Sequence, residues 1–440
     1  MLAGFSQIDF TPLEGYMPGE GLPFWANGEP RCPLCANAAA LGNGQETVIL
    51  ISADQLDFET EYADEMRARI SAETGIPVSH ILLAATHIHT GASKHTENSH
   101  APGEPDVADY TDKCVVEAAV QAFRNMKPGF SLGTGKGQER RMSFNRDCIM
   151  KDGSIVSIPG KGAKDRIAGY LGPVDYDVHV MRIDRADHTP AAFLVNYANH
   201  PDNDNTARKH FSSDFPGFLR QNLQMFYGKD LTVLFFNGPC GDVNAYNYKS
   251  GVSEAYASAA TYMPEEMGKL LTETVCGINR EIGSADQTEP QVKAVSRKDV
   301  YNKRVPAAWE TEKAQALKAR LEAGERIRRH EMAVMKKTLS YDPAAPAVME
   351  AEMQGIRLGD WIILTTPGEL YTEIGLAIKA LAPEKKIIIS ELTNGHVGYI
   401  PPDSTLGLTA YGGRYYAGQL GYGTKDRMLA AAAELLKELM

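Results

Sequence analysis

Three apolar runs of strand length end in residues that do chemistry, and no other feature constrains the chain as much. Ile81-Leu-Leu-Ala-Ala85 leads into Thr86-His87-Ile88-His89-Thr90-Gly91. Ala191-Ala-Phe-Leu-Val-Asn-Tyr197 leads into Ala198-Asn199-His200-Pro201, and Trp361-Ile-Ile-Leu-Thr365 leads into Thr366-Pro367-Gly368-Glu369. Nearly continuous apolar runs of this length fit strands covered on both faces. Polar residues just past such strands fit a layered fold with a cleft where the strand ends meet. If the chain stays extended through Thr90, His87 and His89 share one face and Ile88 takes the other. Gly91 then lets the chain turn away. Two imidazoles, a third histidine and a carboxylate are the material of a metal or acid/base site.

The rest of the chain supports an α/β reading. Strands are expected over Glu46–Asp54, Phe130–Gly135, Val178–Ile183, Leu231–Phe236 and Lys386–Ser390. Helices are expected over Phe58–Glu73, Val107–Asn125 and Tyr262–Ile282, then from about Leu370 and from Lys425. Residues 1–60 otherwise read as short strands and Gly/Pro-rich loops. A further helix opens near Asp214. The stretch Ala307–Lys337 is dense in Ala, Glu, Lys and Arg and reads as a charged, solvated helix or helical hairpin. The polar segment Ser93–Pro105 carries His95 and His100, read as solvated residues of a loop over the site. The sequence shows no internal repeat. One catalytic domain spanning 1–440 is expected, with a charged helical insertion at about 307–340.

Several function classes are disfavoured. The formal net charge of -11 argues against a nucleic-acid backbone as partner. No run approaches the ~18 apolar residues of a membrane span, so stable membrane insertion is not expected. The N-terminus lacks a basic region followed by a long apolar one. A cytoplasmic protein is expected, or else a secreted or periplasmic one whose signal has been removed. Six cysteines in 440 residues do not make a disulfide scaffold. Cys32-Pro-Leu-Cys35 has no second pair to complete a zinc site and reads as free thiols. Oligomeric state has no signature here.

The ordered set of motifs resembles the catalytic domain of the neutral, non-lysosomal ceramidases and their bacterial relatives. Ala85-Thr-His87-Ile-His89-Thr-Gly91 resembles that family's THTHSG, and Asn145-Arg146 its Asn-Arg pair. His200 resembles its second zinc histidine, and Ser213-Asp214 the pair that opens the next helix. Gly241-Asp242-Val243 resembles the first half of GDVSPN, and Pro367-Gly368-Glu369 its PGE. Gly398-Tyr399-Ile400 and Tyr411-Gly412 resemble its two C-terminal tyrosines.

The resemblance implies a zinc ion held by His87, His200, Glu369 and Tyr399. His89, Arg146 and Tyr411 would then surround the scissile carbonyl and its oxyanion. The family's chemistry is hydrolysis of an N-acyl amide by zinc-activated water. Arg146 keeps its charge and suits an anionic intermediate. Asp214 and Asp242 fit either the orientation of a histidine or helix capping and loop bracing. Two departures stand out: Asn244 and Ala245 replace the serine and proline of GDVSPN, and no immunoglobulin-like C-terminal domain is expected after Tyr411. Asn244 cannot form a stable acyl intermediate and would at most orient substrate or brace its loop. The expected function is a zinc-dependent amidohydrolase of a small N-acyl substrate other than long-chain ceramide. A zinc-dependent esterase or other hydrolase, and a non-catalytic zinc-cleft binding protein, are the alternatives.

Overall fold

The structure is a computed structural model that describes residues 1–12, 29–92, 107–159, 163–204, 210–249, 264–283 and 285–440. His95 and His100 lie outside the described residues.

One unit occurs three times in succession: three antiparallel strands, a helix, a fourth strand parallel to the third, and a second helix. The first is β1 (Leu2–Asp9), β2 (Cys35–Gly42), β3 (Thr47–Ala53), α1 (Thr60–Thr74), β4 (Ile81–Ala85) and α2 (Val107–Arg124). The second is β5 (Ser131–Gln138), β6 (Asp177–Asp184), β7 (Pro190–Tyr197), α3 (Asp214–Tyr227), β8 (Thr232–Asn237) and α4 (Pro264–Ile282). The third begins with β9 (Val292–Asn302) and then detours through the hairpin α5 (Ala308–Glu322) and α6 (Arg329–Leu339). It resumes with β10 (Val348–Leu358), β11 (Trp361–Thr365), α7 (Thr372–Lys379), β12 (Lys386–Ser390) and α8 (Thr424–Leu439).

The three sheets turn one face inward to a common core and the other outward to their own helices. The shared core takes Leu50 and Leu82 from the first sheet, Leu194 and Leu234 from the second, and Ile356, Trp361 and Ile388 from the third. Outside, α1 and α2 cover the first sheet, α3 and α4 the second, and α7 and α8 the third. Each inner strand is therefore buried on both faces, which is why Thr47–Ala53 and Ile81–Ala85 read as unbroken apolar runs rather than alternating ones. Strands β9 and β10, absent from the sequence reading, are long arms whose outer parts alternate half-buried with exposed residues.

Because the third and fourth strands of each unit are parallel, their carboxyl ends lie side by side at one edge. Six loops follow from those ends, carrying Asp54–Asp57, Thr86–His89, Ala198–His200, Gly238–Asp242, Thr366–Glu369 and Glu391–Tyr399. Backbone hydrogen bonds lace them together: Ala85 N to Leu392 O at 3.1 Å, Asn394 N to Leu83 O at 2.8 Å and Glu391 N to Asn237 O at 3.0 Å. A layered α/β fold with its polar residues gathered at the strand ends is borne out.

Candidate metal centre

His87 and His89 meet, though not by strand alternation. β4 stops at Ala85, and His87 takes a left-handed backbone conformation, φ 70°. A histidine tolerates that region better than a β-branched residue, but it is held there by its surroundings. Its backbone N–H donates to Gln55 O at 2.9 Å, and its ring Nδ1 lies 2.8 Å from Leu56 O. The two rings are 5.1 Å apart, nearly perpendicular. Gly91 is not in a left-handed turn; a Cβ there would press Gln55 Oε1 and Ile88 Cδ1 at 3.1 Å, so its smallness serves packing.

His200 arrives from the end of β7. Its Nε2 is 3.1 Å from His87 Nε2. Glu369, from the end of β11, places Oε2 at 3.3 Å from His87 Nε2 and 3.8 Å from His200 Nε2. All three residues are buried. His89 adds a third imidazole whose ligand atoms lie within 4.8 Å of those of His87 and His200.

These distances form a test of fit to a metal. Donors about 2.05 Å from a tetrahedral centre lie about 3.3 Å from one another. The observed 3.1, 3.3 and 3.8 Å bracket that edge. The tautomers point the same way. His87 Nδ1 faces the Leu56 carbonyl, and His200 Nδ1 faces the Cys240 carbonyl at 3.4 Å. Carbonyls only accept, so both Nδ1 atoms carry a hydrogen, and each Nε2 is the atom left to hold a proton or a metal ion. Two Nε2 atoms and a carboxylate oxygen at this spacing call for a shared cation, a proton or a metal ion. Burial first, then Arg146 and His87, holds His200 well below the ordinary imidazole range, so it stays neutral as a ligand must. Burial alone would raise Glu369, but His87 first and then His396 outweigh it and hold the carboxyl well below its usual range. The cluster thus has the donor set and spacing to hold a metal ion.

The flanking residues are set by two short strand pairs. Glu369-Leu370 pairs in parallel with Tyr399-Ile400, in register Glu369 to Tyr399, so the two side chains stand together. Phe144-Asn145 pairs with Val243-Asn244 and fixes the following Arg146, whose N–H donates to Asp242 O at 2.8 Å. Arg146 Nη2 donates to the Tyr399 hydroxyl oxygen at 2.8 Å and to Gly241 O at 2.7 Å. Gly241 is required here by contact: a Cβ would stand 2.5 Å from Glu369 O. Burial pushes the Tyr399 phenol well up, against Arg146, which lowers it. Tyr411 sets its ring edge-on to Tyr399 at 5.3 Å, with its N–H on Ser157 Oγ at 2.6 Å.

For Asp214, Asp242 and Asn244 the structure shows the bracing alternative. Asp214 orients no histidine: its carboxylate accepts from the backbone N–H groups of Asn203 at 2.8 Å, Asp204 at 2.9 Å and Phe215 at 2.6 Å, bracing the loop after His200. Asp242 likewise accepts from Asn145 Nδ2 at 2.6 Å and from Thr372 N and Oγ1 at 2.8 and 2.9 Å. Backbone carbonyls do the histidine-orienting work instead. Asn244 is buried with both ends of its amide engaged: Nδ2 donates to Tyr248 Oη at 2.8 Å and Oδ1 accepts from Tyr246 N at 3.0 Å. Cys32 and Cys35 are free and buried, and burial pushes their thiols up to about 11 and about 12.

Other residues at the site went unnoticed in the sequence. His396, on the glycine loop after β12, sits 3.6 Å from Glu369 Oε1 and 3.6 Å from Asp57 Oδ2. The strand-end logic that flagged His87 applies equally to it. Glu391, fully buried, accepts from Cys240 N at 3.1 Å and Leu370 N at 2.8 Å, and so ties the His200 side of the centre to the Glu369 side. Burial pushes its carboxyl well above the usual range.

A cavity of about 550 Å³ opens onto the centre, lined among others by Asp57, His89, Glu369, His396, Tyr411 and Lys337. Fold and site together define a three-sheet α/β protein with a buried histidine–carboxylate centre under a polar cavity. Solved structures with this fold include neutral ceramidase from Pseudomonas aeruginosa, with 17% identity, a TM-score of 0.72, and coverage of 99% of this chain and 74% of that one. A ceramidase complexed with C2 matches with 15% identity, the same TM-score of 0.72, and 99% and 75% coverage. The resemblance read from the motifs is thus borne out at the level of the fold. A scan against models of protein families and a search of curated proteins both return no match.

Proposed function

We propose that the protein is a zinc-dependent hydrolase that cleaves the amide bond of an N-acyl compound smaller and more polar than long-chain ceramide. The observation that carries this reading is the convergence of His87, His200 and Glu369 at tetrahedral spacing beside a buried arginine. The ceramidase fold supports the amide as the bond cleaved. His87, His200, Glu369 and Tyr399 would hold the zinc, which when bound supplies a Lewis acid and a water of lowered pKa.

The chain's own residues divide the remaining work. Arg146 and Tyr411 face the developing oxyanion, and the permanent charge of Arg146 makes its contribution independent of pH. His89 lines the cavity beside the centre, and in this reading it passes a proton to the leaving amine. Leu56 O and Cys240 O keep His87 and His200 in the ligating tautomer. Asn244 braces its loop in this reading. The described lining includes Asp57, Glu59, His89, Lys337 and His396, which suits a small polar substrate better than a sphingoid chain.

The test combines metal analysis with a screen of short N-acyl amides, aryl esters and a fluorescent short-chain ceramide. Zinc-dependent turnover of an amide with negligible ceramide cleavage is expected. Turnover of ceramide matching the best other substrate, or full activity after chelation, overturns the reading.

A further inference from the structure

The α5–α6 hairpin reaches the catalytic cavity. Trp309 Nε1 donates to Gly407 O at 2.8 Å, and Glu310 accepts from Ala307 N at 2.9 Å and Tyr415 N at 2.7 Å. The hairpin is thereby fastened to the 407–416 segment that also carries Tyr411. A small core of Ala314, Leu317 and Met335 holds its two helices together. From the end of α6, Lys337 enters the cavity lining beside Tyr416, on a wall shared with the metal centre.

The charges around the cavity are unevenly matched. Asp57 faces His396, and Glu369 faces His87, His200 and His396. Glu59 stands at the N-terminal end of α1, where the helix dipole favours a carboxylate. Lys337 is different. Its ammonium donates to Tyr416 O at 3.0 Å and lies 5.9 Å from the Tyr416 ring centroid, and among the described residues it forms no ion pair with a carboxylate. An ammonium has three donors, and one carbonyl uses one. In a chain of net charge -11, a lysine that faces the reaction cavity with no acidic partner among the described residues is a ready counter-ion for a ligand.

Resting on the hydrolase reading above, we propose that the substrate is an N-acyl compound bearing a carboxylate, and that Lys337 is the specificity-determining residue that binds it. The cavity then holds the amide at the metal end and the anionic group at the hairpin end. The carboxylate belongs either to the amine half, as in an N-acyl amino acid, or to the acyl half, as in a dicarboxylic monoamide.

Two matched pairs of probes decide the matter with the full-length, zinc-loaded protein. N-hexanoylglycine is compared with uncharged N-hexanoylglycinamide, and glutaric acid mono-ethanolamide with its glutaramide counterpart. For the correct half, kcat/KM should favour the carboxylate about tenfold or more, and added salt should reduce the preference. Lys337→Met should collapse the ratio toward one, and Lys337→Arg should keep most of it. A ratio near one for both pairs in the natural protein, or a ratio unchanged by Lys337→Met, overturns the proposal. Calorimetric titration of the same compounds supplies a readout without turnover. Absence of any cleavage defeats the hydrolase reading. Tighter binding of the carboxylate by the natural protein than by Lys337→Met still supports Lys337, and equal binding defeats it. A carboxylate that binds only through the metal gives that equal result.

Discussion

Replacing Arg304 tests how the cavity wall is held. Arg304 follows β9, is buried, and donates to four backbone carbonyls: Leu420 O at 3.1 Å, Gly412 O at 2.8 Å, Arg414 O at 2.6 Å and Tyr399 O at 2.9 Å. These bonds staple the segment that carries Tyr399, Tyr411 and Tyr416. Charge-assisted bonds contribute about 1.5 kcal/mol each at the low end, so about 6 kcal/mol together. Burial works against them: it lowers the Arg304 pKa to about 10, with Tyr371 and Glu310 opposing the shift. A lowering of that size corresponds to about 3 kcal/mol. The net contribution is about 3 kcal/mol. Arg304→Met keeps the volume, removes the donors and leaves the carbonyls stranded, so unfolding by urea at pH 7 should show a loss of about 3 kcal/mol. Arg304→Lys should lie between, because one ammonium cannot span four carbonyls. Zinc affinity should weaken alongside, since Tyr399 loses the anchor on its own carbonyl. A loss below about 1 kcal/mol in Arg304→Met would show that water replaces the guanidinium, and the stapling argument would be wrong.

Glu369→Gln should reduce bound zinc far below one per chain by mass-spectrometric metal analysis; undiminished zinc would remove Glu369 from the centre. Arg146→Ala should lower kcat by ~10² while zinc content holds, and parallel loss of both would make its role structural. Asn244→Ala should cost about 1–2 kcal/mol of stability and lower kcat far less than Arg146→Ala; an equal fall in kcat would place Asn244 against the substrate. His179 is buried beside Trp361, and burial first, then Lys379, lowers its pKa to about 3. The unfolded chain therefore binds a proton near pH 6.5 that the folded chain refuses until about pH 3. Stability falls as pH drops through that window, by up to about 1.4 kcal/mol per pH unit, and His179→Gln should flatten this acid limb in pH-dependent denaturation. An acid limb of unchanged slope would assign the dependence to other groups.

Much of the site was legible because it sits on strand ends. His87, His200 and Glu369 each follow an apolar run long enough to be recognised, and those runs are apolar because the shared core covers one face and helices the other. The helical elements were legible for a related reason: α1, α2 and α8 carry apolar stripes at helical spacing and end within a residue or two of where the pattern stops.

What the tertiary structure decided is how these pieces combine. The repetition of one unit three times over is a property of strand order and direction, which sequence does not preserve once each copy has adapted its side chains to its own neighbours. The left-handed turn at His87 is imposed by Gln55 and Leu56, residues of a different loop. The orienting of His87 and His200, one of two roles open to Asp214 and Asp242, falls to backbone carbonyls, which every residue possesses and no sequence pattern marks. Lys337 was one charge among many on a solvated hairpin, and its place in the cavity follows from bonds made by Trp309 and Glu310. Residue chemistry and local period are written along the chain, whereas a site assembled from six loops depends on contacts between residues hundreds of positions apart.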